Sequence, residues 1–165
     1  MKIALISMPF GRLDYPSLGL TQIQSVLDSD LGNRVQTDLY YLNHDFANRF
    51  GLKYYILLTG NTIYPKPRNL MQGNAMSKRG KVRNSLYKDA TFDGMGDWIF
   101  RREAFPYAED NVEEYFTKYL ITAPEIQMDL LAIRSQLYQF LDDMIDKYDL
   151  TSYDILGFTS MNQQQ

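Results

Sequence analysis

Residues 1–20 read MKIALISMPFGRLDYPSLGL. Within them, Ile3-Ala4-Leu5-Ile6-Ser7 is a short apolar run bounded by Pro9 and Gly11. A short run without alternation is the pattern of a strand buried on both faces, as at the centre of a parallel sheet. Met8 to Pro16 carries Pro, Gly and Asp and reads as a loop. Ser17 then stands where its hydroxyl can cap a helix beginning at Leu18. In open α/β sheets ligands lie outside the carboxyl ends of the strands, where this loop would sit. Met8, Pro9, Phe10, Ser17 and Gly19 are therefore candidate ligand-binding residues.

Working outward, Leu20, Ile23, Leu27 and Leu31 recur at helical spacing and predict a helix over about 18–31. Gly32-Asn33 supplies its stop, because both residues tolerate positive φ. Val35 to Leu42 is the predicted second strand, completing a βαβ unit with a right-handed crossover. Asn43-His44-Asp45 is placed to cap a second helix whose face is Phe46, Phe50, Tyr54 and Leu57, weakened by Gly51 and ended by Thr59-Gly60-Asn61.

The character then changes. Between Gly60 and Lys88 there is no acidic residue, and Pro65, Pro67, Gly73 and Gly80 break any regular pattern. A loop insertion is expected over about 60–93. Two readings stand: a solvated excursion, or a basic arm, with Lys78, Arg79, Lys81 and Arg83 at its heart, that touches an acidic partner or nucleic acid. Only Tyr64 and Tyr87 are available there for base stacking, so nucleic acid is not favoured.

A helical segment is expected over about 94–148. Trp98, Ile99 and Phe100 mark a short helix with Trp98 as a core anchor. Asp110, with Glu113 in the capping-box position, is expected to open a helix over about 111–121 that buries Val112, Tyr115, Phe116, Tyr119 and Leu120. Thr122-Ala-Pro-Glu125 gives a second capping box with Pro in the first turn, opening one long helix over about 124–147. Its stripe of Ile126, Leu130, Ile133, Leu137, Phe140 and Met144 is either core or a face for another chain. Asp142, Asp143, Asp146 and Asp149 at its end read as a solvated face. After a turn at Thr151 to Asp154, Ile155 to Ser160 is the third strand, which adds Thr159 and Ser160 to the candidate ligand residues.

Composition sets the outer bounds. The 165 residues suit one domain, and 45% apolar with 14% aromatic residues can bury a sizeable core. A net charge of −3 implies no strongly charged partner for the whole protein. The absence of cysteine removes disulfides, thiolate metal sites and cysteine nucleophiles. His44 is the single histidine, so a zinc site is not supported and no metal ligand set is assigned. No Walker loop, dinucleotide glycine fingerprint or Gly-x-Ser-x-Gly elbow is present, and no catalytic set is assigned. No apolar run reaches the roughly 20 residues of a membrane helix, and no signal peptide is recognisable. A cytoplasmic protein is the expectation.

Five stretches occur in order: Ser7-Met-Pro-Phe10, Tyr15-Pro-Ser-Leu-Gly-Leu20, Tyr41-Leu-Asn43 with Phe46-Ala47, GMGDWIFRREAF over 94–105, and Tyr153-Asp-Ile-Leu-Gly-Phe-Thr-Ser160. Together they resemble the N-terminal part of radical SAM maturases of ribosomal peptides (RiPPs), a group with a cobalamin-binding-like domain ahead of the radical SAM barrel. The resemblance implies a flavodoxin- or Rossmann-like α/β fold, three-layered, with a short parallel sheet of about three strands. It implies cobalamin as a cofactor of the group and peptide methylation as the reaction of many members. The three-cysteine motif of the barrel is absent here, and Asp45 follows His44 in the wrong order for the Asp-x-His-x-x-Gly cobalamin signature.

The expectation is thus a truncated or split cobalamin-domain homologue, a non-catalytic accessory docking onto a radical SAM protein or second subunit that completes its sheet. The alternative is a protein binding cobalamin or a nucleotide at the strand ends, through Met8, Pro9, Phe10, Ser17, Gly19, Thr159 and Ser160. A third reading has the basic arm hold the acidic leader of a precursor peptide through Lys78, Arg79, Lys81 and Arg83.

Overall fold

The computed structural model describes residues 1–59, 96–119 and 121–159. The fold is mixed α/β around an all-parallel, three-stranded open sheet of order β2-β1-β3. Strand β1 (Lys2–Ser7) is central, with β2 (Gln36–Tyr41) on one side and β3 (Ile155–Phe158) on the other. The register sets Lys2 opposite Gln36 through Ser7 opposite Tyr41, and Ile3 opposite Ile155 through Ile6 opposite Phe158. Burial from Ile3 to Ser7 explains why β1 reads as an unbroken apolar run.

Helix α1 (Leu18–Leu31) covers one face, where Ile3, Leu5 and Leu20 form a small cluster with Leu27, Val35 and Leu39. Ser17 caps it: its Oγ accepts from the Leu20 N–H at 3.4 Å. Gly32 ends it at φ 50°, a backbone state costly for any side chain. Ile23, assigned by spacing to the buried face, is exposed instead. The helix lies over β1 and β2, while Ile155 on the β3 side of this face is exposed.

On the other face, Ala4 and Ile6 enter the main core. Helices α2 (Leu42–Phe50), α3 (Leu52–Thr59), α4 (Asp97–Ala104), α5 (Val112–Lys118), α6 (Pro124–Ser135) and α7 (Leu137–Lys147) build it. Phe46, Tyr55, Ile99, Leu130, Leu137 and Phe140 are fully enclosed there. The stripe on the 124–147 segment is therefore a core face from Leu130 to Met144, with Ile126 packed at its margin.

Several local expectations are corrected. The second helical segment is two helices, because Gly51 at φ 89° breaks it. The break changes the phase, so α3 buries Tyr55, Ile56, Leu58 and Thr59 most deeply, while Tyr54 and Leu57 pack half-buried against the same core. Asn43, His44 and Asp45 do not cap α2, which starts at Leu42. Asn43 is instead buried, and Asp45 accepts from Lys147 Nζ and the Tyr148 hydroxyl. Asp110 does not cap α5, where Asn111 holds the cap position. Asp110 accepts from the Arg134 guanidinium at 2.8 Å. Thr122 does not cap α6 either: Ala123 occupies that position, with Pro124 opening the helix as expected. The long helix is interrupted at Gln136, near φ −100° and ψ 0°. Asp143 is ion-paired with Arg49 rather than simply solvated. The second strand stops at Tyr41 and the third at Phe158. The basic insertion over about 60–93 and Leu120 lie outside the described residues.

Candidate functional site: a cleft beyond the carboxyl end of the central strand

The chain leaves β1 into a loop that the core holds rigidly. The Met8 N–H donates to Thr159 Oγ1 at 3.1 Å, and the Thr159 N–H donates to the Ile6 carbonyl at 3.0 Å, so the ends of β1 and β3 are clasped. Phe10 sits at φ 75°, unusual for a bulky residue. Two buried side chains hold the backbone there. The Tyr55 hydroxyl donates to the Gly11 carbonyl, and Asn43 Nδ2 donates to the Arg12 carbonyl at 2.9 Å. Asn43 Oδ1 is buried without a partner. In this pose the Phe10 ring meets Phe46, Tyr55 and Phe100 at centroid distances of 5.2, 6.1 and 5.6 Å.

Opposite the loop stands α4. Trp98 is its anchor: the indole stacks on Tyr115 at 3.9 Å, lies 4.2 Å from the Arg134 guanidinium, and donates Nε1–H to Asn111 Oδ1 at 3.2 Å. Arg101 donates to the same Asn111 oxygen at 3.1 Å and to the Glu109 carbonyl at 2.5 Å. Between loop and helix lies a cleft of about 750 Å³ lined by Met8, Pro9, Phe10, Asp97, Trp98, Phe100, Arg101, Glu103, Ala104, Phe105, Asn111, Lys118, Tyr119 and Leu141. That volume is within the ~300–1,000 Å³ of small-molecule sites, and the mostly apolar walls with a few polar groups fit the same class. Burial pushes the Asp97 carboxyl above the ordinary carboxylate range.

The structure brings Met8, Pro9 and Phe10 to this cleft. Ser17 uses its hydroxyl to cap α1, Gly19 lies in that helix, and Thr159 clasps the strand ends, so these three stand outside the lining. Ser160, Lys78, Arg79, Lys81 and Arg83 lie outside the described residues. The α4 wall was not assigned from sequence. Asp97 and Trp98 fall inside the GMGDWIF stretch, but an indole at helical spacing signals a core residue whether or not one of its edges faces a cleft.

No imidazole lines the cleft that could serve as a ligand to a corrinoid. The imidazole of His44 packs edge-on to Tyr41 at 5.9 Å and does not line the cleft. Among the described residues, no group of three or more His, Asp or Glu side chains is arranged to hold a metal ion. Among them, too, no helix is long and apolar enough to cross a membrane. Comparison with protein-family models, curated proteins and solved structures finds no match.

Proposed function

We propose that the chain is a non-catalytic accessory of a peptide-modifying (RiPP maturation) radical SAM system, working by docking its open sheet edge onto a partner protein. The observation that carries this reading is the state of β3. Among the described residues it pairs only with β1, which leaves its outer row of backbone groups without a ladder. Its side chains are bare on both faces: Ile155 is 47% exposed, Leu156 40% and Phe158 56%. Leu156 and Phe158 stand opposite Ala4 and Ile6 and so extend the main-core face, while Ile155 stands opposite Ile3 and extends the α1 face. Unpaired edges of this kind are templates for strand addition. The ordered motifs supply the partner class, a radical SAM protein. The test is gel filtration of the chain mixed with a cognate radical SAM protein. A complex at micromolar concentration is expected, and its absence overturns the reading.

A second reading is favoured by the cleft: a small-molecule site walled by Met8, Pro9, Phe10 and α4. The strained and doubly anchored Phe10 supports it, since such backbone states cluster where a loop must be held ready for a ligand. Because no imidazole lines the cleft, cobalamin added to the isolated chain should leave its visible spectrum unchanged. A shifted spectrum would restore cobalamin as the ligand.

A further inference from the structure

The cleft holds four charged side chains, and they are not equally available. The Arg101 guanidinium is committed to the Glu109 carbonyl and Asn111 Oδ1. Lys118 is exposed, its ammonium turned over the Tyr119 ring at 5.2 Å. Asp97 and Glu103 are partly buried and have no hydrogen-bond or ion-pair partner among the described residues. A partly desolvated carboxylate costs free energy unless something pairs with it. The Arg101 donors are taken by neutral oxygens, so the hydrogen-bonding groups left open on the inner walls are the Asp97 and Glu103 carboxylates, set in apolar and aromatic surroundings. Such walls complement a cation that carries its own apolar body.

We propose that this cleft takes a small organic ammonium with an aromatic body, its ring against Met8, Phe100 and Phe105 and its charge paired with Asp97. Glu103 adds to the negative potential. The inference rests on the second reading above, that the cleft is a ligand site.

Three probes of one size separate the two ideas: phenethylamine, 2-phenylethanol and 3-phenylpropionate, titrated against the full chain by calorimetry and by fluorescence of Trp98, the single tryptophan. Phenethylamine should bind at least about tenfold more tightly than 3-phenylpropionate, the scale of one charge-assisted contact. Asp97→Asn should abolish that preference, bringing phenethylamine to within about twofold of 2-phenylethanol. Equal binding of the three probes overturns the proposal and leaves the ligand-site reading standing. No binding of any probe overturns both. Should Asp97→Asn not fold, the wild-type preference and Glu103→Gln still decide. A loss of preference on Glu103→Gln larger than about half the total would move the assignment away from Asp97.

Discussion

A Cβ added at Gly96 would lie 2.8 Å from Cδ2 of the Phe10 ring and 3.2 Å from the Leu58 carbonyl oxygen. The glycine at the head of α4 is thus what lets the loop after β1 pack against the opposite wall. Gly96→Ala must displace either a ring held by three aromatic neighbours or a backbone carbonyl. We expect a loss of about 1–3 kcal/mol, the usual cost of overpacking, read from the urea midpoint. A midpoint equal to wild type would show that Phe10 has room to move.

Gly51 should be equally intolerant for a different reason. Open space surrounds it, but its φ of 89° is one that side chains rarely adopt. Gly51→Ala should cost about 1–2 kcal/mol through backbone strain alone. If stability is unchanged, the hinge between α2 and α3 can be reached without that conformation.

The pair of Arg134 and Asp110 braces the Trp98 wall. The Arg134 side chain is 5% exposed, and among the described residues its Nε lacks a partner and Asp110, itself 51% exposed, is its one carboxylate. Asp110→Ala should cost about 1–3 kcal/mol, because it strands a buried cation rather than removing a surface pair. Circular dichroism in the aromatic region should report the loosened indole. A change within about 0.5 kcal/mol would mean that the cation–π contact alone satisfies Arg134.

Alkaline pH should destabilise the fold. Burial raises the Tyr55 and Tyr115 hydroxyls well above the ordinary tyrosine range. Tyr153 is raised first by its 2.5 Å hydrogen bond with Tyr40, then by burial and by Asp38. The folded state binds these protons more tightly than the unfolded chain. Their contribution is complete below the ordinary tyrosine value near ~10 and is lost as pH rises past it. The urea midpoint should therefore fall above about pH 10, less steeply in Tyr153→Phe. Equal slopes in the two proteins would remove Tyr153 from the account.

The β3 edge predicts a separation of effects. Phe158→Lys alters an exposed side chain, so the isolated chain should change by no more than about 0.5 kcal/mol. Partner binding measured by gel filtration should be lost. Retained binding would place the docking surface elsewhere.

Strands β1, β2 and β3 and helix α1 were legible in the sequence because each is specified locally, by an apolar run or by a cap and a stop. Ser17 and Gly32 do in the fold what their positions predict. The failed caps share a cause: Asn43, Asp45 and Asp110 are chemically able to cap, but tertiary partners claim them. A capping box describes what a side chain can reach within its own segment and is silent about an arginine 24 residues away. Of the cleft, the Met8–Phe10 wall was readable because it follows a strand. The α4 wall depends on how helices pack, and no spacing rule reports that.

The register that sets Ile3 beside Ile155 has a consequence for how the protein is made. Strand β1 leaves the ribosome before both of its neighbours and can claim β2 within its own βαβ unit, yet β3 emerges about 150 residues later, roughly 10–30 s at ordinary elongation rates. Throughout that interval the flank of β1 that β3 will cover is bare, and the loop bearing Phe10 lacks its clasp to Thr159. The nascent chain is therefore most vulnerable to unwanted strand pairing along that flank of β1, and the gap closes only once β3 has been made.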